Sequence, residues 1–173
     1  MRLESVDEVF VRACHEDVHA YVRDPAGYGA WWPGARSRPA RDGAALELRP
    51  PGLSRVQRLR VTLIEERPGL GLRLGLRGDF AGDAEWYYLD EGDGTLVHYL
   101  VRGQMGGRGA HRRLARHRWV VREGLHALKD LLESGRSPGQ EPGSSLRGLR
   151  EKTVERQRAA PTRARGRPGK VDS

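Results

Sequence analysis

Apolar residues recur along this chain with two periods, and the change from one to the other divides it. As far as Gln104 the spacing is mostly two. Val9 and Val11 alternate with Glu8, Phe10 and Arg12. Leu59, Val61 and Leu63 alternate with Arg58, Arg60 and Thr62, and Leu70, Leu72, Leu74 and Leu76 with Gly71, Arg73, Gly75 and Arg77. Successive strand side chains point to opposite faces, so each run predicts a strand with one apolar and one polar side. The expected strands are Arg2–Arg12, Ala44–Arg49, Val56–Glu66, Leu70–Gly78, Asp83–Asp90 and Thr95–Gln104. Pro50-Pro51-Gly52, Pro68-Gly69, Gly78–Gly82 and Asp93-Gly94 separate them and read as hairpin turns. A helix over His15–Arg23 follows the first strand. Asp24-Pro25 closes it, because a residue before proline is pushed out of the helical region. Ala26–Trp32 reads as a second helical turn, ended by Pro33 and Gly34.

From Arg112 to Glu133 the period lengthens. Leu114, His117, Val121, Leu125, Leu128 and Leu132 follow steps of three and four, with Gly124 on the same stripe. Arg113, Arg116, Arg122 and Lys129 hold the other face. An antiparallel sheet with one wet side must bury that stripe on its own concave face. The expected fold is α+β. A curved antiparallel sheet of six to seven strands wraps one long C-terminal helix, with one or two short helices after strand 1. The space left between sheet and helix is a pocket, which predicts a small-molecule binder more clearly than any one chemistry.

Charge separates a domain from an appendage. The net charge is +8, from 31 Lys and Arg against 23 Asp and Glu. Residues 1–135 hold 21 basic and 19 acidic side chains, and residues 136–173 hold 10 and 4. The expected division is a ligand-binding domain over 1–135 and a disordered basic tail over 136–173. The tail opens with the linker-like run SPGQEPGSS and has too few apolar residues to offset its ordering entropy. A single cysteine, Cys14, excludes an internal disulfide and a cysteine-rich metal site. The N-terminus lacks the apolar core of a signal peptide. No run reaches the ~18 apolar residues that span a bilayer. A cytoplasmic protein without a transmembrane segment is expected.

Three stretches, taken together, resemble the START-like, helix-grip superfamily (SRPBCC) in its polyketide cyclase/dehydratase and lipid-transport branch. The first, ACHEDVHAYVRDPAGYGAWWP, is like the family's strand exit, short helix, aspartate-proline and tryptophan pattern. The second, RGDFAGDAEWYYLDEGDGTLVHY, is similar to its strand pair with a glycine-aspartate corner and an inward tryptophan. The third, HRWVVREGLHALKDLL, is like its C-terminal helix. They span about Val9–Leu132. The resemblance implies a fold and a pocket for a hydrophobic small molecule, lipid or polyketide-like. It does not imply one reaction, since the fold hosts cyclases, carriers and non-enzymatic sensors.

Candidate residues follow from position. His117 stands where a leucine is expected on the helix stripe, so it either faces a ligand or is held by a buried partner. Val121 lies one turn on. Trp86 and Tyr88 share one face of their strand, and His98 and Arg102 share one face of the next. Both faces are partly apolar, which leaves open which one lines the pocket. Tyr28, Trp31 and Trp32 precede Pro33 and form either a gate to the pocket or a plug closing the sheet edge. No catalytic set is evident, and whether the domain is an enzyme, a cyclase/dehydratase for instance, or a carrier stays open. The six histidines lack metal-ligand spacing, and no nucleophile elbow or dinucleotide motif occurs, so no metal or cofactor is expected. In the tail, Arg163, Arg165, Arg167 and Lys170 flank an AT-hook-like Arg-Gly-Arg-Pro. Two arginines in a narrow minor groove would give weak nucleic-acid contact, and an acidic surface would serve as well. This supports an alternative, a ligand-sensing nucleic-acid-associated protein. Against it, an Arg-, Gly- and Pro-rich tail yields such a tetrapeptide by chance.

Overall fold

A computed structural model describes residues 2–50, 52–104 and 109–134. It contains β1 (Arg2–Val11), α1 (His15–Val22), a 3-10 helix (Pro25–Ala30), β2 (Ala35–Ala40), β3 (Gly43–Leu48), β4 (Gln57–Arg67), β5 (Gly71–Gly78), β6 (Ala81–Glu91), β7 (Gly94–Gln104) and α2 (Ala110–Ser134). The strands form one antiparallel sheet in the order β1-β7-β6-β5-β4-β3-β2. The chain enters at β1 and crosses through α1 and the 3-10 helix to the far edge. It then meanders back strand by strand until β7 pairs with β1. This is the helix-grip arrangement, with seven strands and α2 packed on the inner face. Among the described residues no helix is long and apolar enough to cross a membrane.

The alternation places the core. Ala44, Leu46 and Leu48 of β3, Leu59 and Val61 of β4, and Leu72, Leu74 and Leu76 of β5 are buried on the inner face. Ala84, Trp86 and Tyr88 of β6 and Val97, Tyr99 and Val101 of β7 join them, and Val120, Val121, Leu125 and Leu128 of α2 cover the layer. Along β1 the inward positions are Leu3, Ser5, Asp7, Val9 and Val11. Asp7 is a buried carboxylate. It accepts from Arg118 Nε and Nη2 at 3.1 and 3.0 Å and from Arg122 Nε at 2.7 Å, which ties α2 to the β1 edge. Arg122 is therefore a clamp rather than a plain solvent-facing residue. Lys129 is another, donating to the Phe10 carbonyl at 2.7 Å.

Three sequence expectations are corrected. β2, ARSRPA, lacks an alternating apolar face and contains Pro39, so it does not read as a strand. As an edge strand it needs no ladder donor at that position. Leu63 pairs with the inward Leu74 and keeps the face of Leu59 and Val61, but it is not buried. The register shifts between Leu63 and Glu65, and Leu63 is 49% exposed. Leu70 precedes β5 in the turn and is exposed.

Candidate functional site

Two tryptophans, two tyrosines and a histidine fill the space between sheet and α2. The 3-10 helix starts at Asp24-Pro25, where the Asp24 side chain accepts from the Ala26 amide at 3.0 Å. That turn drives Tyr28 inward. Its hydroxyl donates to the Val22 carbonyl at 2.6 Å and accepts from Trp86 Nε1 at 3.0 Å. Trp32 packs where α2 carries Gly124; a Cβ there would collide with its indole, and only glycine permits the approach. Trp32 Nε1 donates to the Val120 carbonyl at 2.8 Å. Trp86 meets Trp32 and Tyr99 edge-on, with ring centres 6.1 and 4.9 Å away. These offset and edge-on contacts are the arrangements that aromatic quadrupoles favour.

His117 ends this cluster. Its Nδ1 lies 2.9 Å from Gln57 Oε1 and its Nε2 3.5 Å from the Tyr99 hydroxyl. With Oε1 as acceptor, the proton sits on Nδ1, and Nε2 is left to accept from Tyr99. Phe80 stacks on the imidazole with an interplanar angle of 8°. Burial lowers the His117 pKa to about 4, so the ring is neutral at pH 7, and the charge of Asp7 opposes this only in part. Burial also pushes the Tyr28 and Tyr99 hydroxyls up, which keeps both protonated. The result is a neutral string, Tyr99 to His117 to Gln57, running from the aromatic cluster to the start of β4.

The predicted residues divide by location. Tyr28, Trp31, Trp32, Trp86, Tyr88, His117 and Val121 are all buried on the inner side. Tyr88 lies toward α1, with its hydroxyl 3.2 Å from His19 Nδ1, and Glu66 accepts from His19 Nε2 at 2.6 Å. The hydrogen bond from His19 is the main reason the Glu66 carboxyl titrates below its ordinary range. His98 and Arg102 are not among them. Trp86 pairs with Tyr99 across β6 and β7 while Tyr87 pairs with His98, so His98 and Arg102 point outward. There they meet Glu8 and Glu4, each at 3.2 Å. Arg163, Arg165, Arg167 and Lys170 lie outside the described residues. Tyr99, Gln57 and Phe80 are the members that sequence reasoning missed. Among the described residues, no group of three His, Cys, Asp or Glu side chains converges to hold a metal ion.

The rings occupy the interior, so the open space lies at its border. A cavity of about 300 Å³ opens between α1, the 3-10 helix and the end of α2. Ala20, Tyr21, Asp24, Gly27, Ala30, Trp31 and Leu131 line it. Trp31 is buried between this cavity and the cluster, stacked on Trp32 with centres 5.6 Å apart. Among the described residues its indole N–H has no hydrogen-bond partner.

No family model matches the chain, and no curated protein matches it. Solved structures do. The di-domain ARO/CYC StfQ from the steffimycin biosynthetic pathway aligns over 77% of this chain and 52% of its own, with TM-score 0.61 and 14% identity. The KanY protein aligns over 77% and 99%, with TM-score 0.59 and 18% identity. The Aha1 dimer from Colwellia psychrerythraea aligns over 78% and 99%, with TM-score 0.55 and 17% identity. At such identities the likeness is one of fold. The chain has the helix-grip, polyketide cyclase-like fold.

Proposed function

We propose that this domain binds a hydrophobic small molecule, lipid or polyketide-like, between sheet and α2, and that Trp31 is the gate. The observation that carries the reading is the unpaired indole N–H of Trp31, buried between a mostly apolar cavity, with Asp24 its one charged wall, and the aromatic cluster. A buried donor without a partner costs about 1–3 kcal/mol. A ligand carbonyl entering beside Trp31 recovers that cost, and the displaced rings give a planar ligand faces to stack on. The fold shared with an ARO/CYC protein supports the same class of ligand.

The test uses two neutral probes, N-phenyl-1-naphthylamine and an anthraquinone carrying ring carbonyls, titrated by fluorescence. Both should bind. Trp31→Phe keeps an aromatic side chain, smaller than the indole, and removes the N–H, so the anthraquinone should weaken about tenfold more than the naphthylamine, the equivalent of one hydrogen bond of roughly 1.4 kcal/mol. The naphthylamine, which offers the indole N–H no carbonyl, reports the effect of the smaller ring alone. Absence of binding by either probe, or equal weakening of both, defeats the reading.

The Tyr99–His117–Gln57 string favours a second version, in which the domain also catalyses a cyclase- or dehydratase-like step. In that version the Tyr99 hydroxyl turns its single proton from His117 Nε2 to a substrate carbonyl, and the freed Nε2 accepts the proton that leaves the neighbouring substrate carbon. In that version His117→Leu retains probe binding and loses turnover, whereas a pure carrier has no turnover to lose.

A further inference from the structure

The outer face of the sheet carries a groove that the aromatic cluster does not explain. It holds about 710 Å³ and lies across β2 to β5. Register assembles it. Arg38 pairs with Ala45, Ala45 with Arg60, and Arg60 with Arg77. Directly paired residues share a face, so these form one cross-strand row. Arg36, Glu47 and Arg58 form the next row. Ala45 gives the groove its floor. Its short side chain stands between Arg38 and Arg60, whose backbones lie two strand spacings, roughly 10 Å, apart. A second depression of about 260 Å³ shares Arg36 and Glu47 and continues toward Arg49.

The charges in this groove do not cancel. Glu47 accepts from Arg58 Nε at 3.2 Å. Among the described residues no carboxylate pairs with Arg36, Arg38, Arg60 or Arg77. Arg60 and Arg77 stand directly opposite each other, an arrangement that destabilises a sheet unless an anion bridges it. On the other half of the same face, Glu4 stands opposite Arg102 and Glu8 opposite His98. Matched charges there make the unmatched row here stand out as a feature of the site, not of the whole surface.

The geometry points to an anion site: we propose that the groove binds a small ligand carrying two or more adjacent phosphate groups, with Arg60 and Arg77 on one side and Arg36 and Arg38 on the other. Guanidinium forks match phosphate oxygens bidentately, and several of them in one cluster call for several negative charges. The volume lies within the roughly 300–1,000 Å³ of small-molecule sites. No aromatic side chain lines the groove, so it lacks the base-stacking platform of single-stranded nucleic-acid binders.

Calorimetric titration of the full chain with inorganic tripolyphosphate tests this. Any contribution from the basic residues 136–173 is common to all variants. Arg60→Gln with Arg77→Gln should weaken binding at least tenfold. Ala45→Leu fills the floor, leaves every charge in place, and should weaken it similarly. Orthophosphate should bind at least tenfold more weakly than tripolyphosphate. A G·C-rich DNA duplex, run in parallel, separates a phosphate backbone from a small ligand, and its affinity should be the same for wild type and Ala45→Leu. The proposal fails if tripolyphosphate does not bind, or binds wild type and both variants equally. It also fails if the variants lose the duplex but keep tripolyphosphate, for the groove would then be a surface for nucleic acid.

Discussion

Trp86 and Tyr87 are neighbours on β6, yet the two positions obey different rules. Trp86 is wholly buried, donates to Tyr28, and touches Trp32 and Tyr99. Tyr87 is half-buried on the outer face, tilted over His98 at 6.1 Å. Inside, the indoles of Trp32 and Trp86 and the hydroxyls of Tyr28 and Tyr99 are all placed on hydrogen-bond partners. Among the described residues Trp31 is the exception among these rings, as Ser5 Oγ is on β1, and it stands at a border where a cavity meets the cluster. Outside, opposed charges are matched over β1 and β7, and Glu47 meets Arg58, but among the described residues the row of Arg38, Arg60 and Arg77 has no carboxylate partner. In each face the local violation of the rule that governs the rest marks the candidate site. Natural sequences break such rules chiefly where function requires it.

The largest expected effect is on the inner face. Trp86→Ala removes the ring that joins Tyr28, Trp32 and Tyr99 and leaves the Tyr28 hydroxyl without its donor. It should cost about 3–5 kcal/mol in chemical denaturation, the range for large aromatic truncations in cores. Tyr87→Ala, one residue away, should cost far less, within about 1 kcal/mol. Equal costs would mean that the faces are not distinguished as described.

His117 gives the inner face a pH signature. Its pKa is lowered to about 4 in the folded state, against an ordinary value of 6.5. Below 6.5 the unfolded chain therefore binds the proton first. The stability contributed by the neutral ring is complete above pH 6.5 and is lost as pH falls toward 4. The difference corresponds to about 3 kcal/mol. Comparing wild type with His117→Leu between pH 7 and 4 isolates this, since other acid-sensitive groups titrate in both proteins. Parallel curves would show that His117 does not stay neutral in the folded chain.

Much of this arrangement was legible in the residues. The 3.6 period of α2 marked His117 as inward and put Gly124 on the same stripe, although the close approach of Trp32 to that glycine is a fact of packing. The face of β7 was legible too, though sequence reasoning placed His98 and Arg102 wrongly. β6 and β7 meet at a two-residue turn, Gly92-Asp93, with Glu91 paired to Gly94. Any two-residue turn puts an even position opposite an odd one. Trp86 must then share a face with Tyr99, not with His98. The ambiguity came from composition, because Tyr87 and Leu89 are as apolar as their neighbours. What no single segment could reveal is the arginine row. Arg58 and Arg60 alternate visibly on β4, but the other arginines of the groove lie on β2 and β5. β2 itself is masked by Pro39 and by an inner face reduced to alanine and serine. Ser37, on that strand, is engaged in holding the 3-10 helix, donating to the Ala26 carbonyl at 2.6 Å. The residues before Pro33 read as either a gate or a plug, and the unpaired indole of Trp31 that favours the gate is a property of packing.

The smallest expected effect is the one that separates the two halves of the outer face. Double-mutant cycles on Glu4 with Arg102, and on Arg60 with Arg77, measure the coupling within each directly opposed pair. Cross-strand pairs contribute roughly 0.2–1 kcal/mol, favourable for opposite charges and unfavourable for like ones. Both pairs are exposed, so screening keeps each value toward the low end. The signs are the test. Glu4–Arg102 should stabilise by a few tenths of a kcal/mol, and Arg60–Arg77 should destabilise by a similar amount. Removing one arginine from the second pair should therefore raise the unfolding midpoint slightly while weakening anion binding. That opposition is the expected mark of a site kept at the expense of stability. It should shrink in high salt, because the Debye length falls from about 10 Å at 0.1 M to about 3 Å at 1 M. Added tripolyphosphate should reverse the sign for Arg60–Arg77 by bridging the guanidiniums, and should leave Glu4–Arg102 where it was. Couplings of the same sign in both pairs would remove the distinction between the halves, and with it the electrostatic reason for a site on β2 to β5.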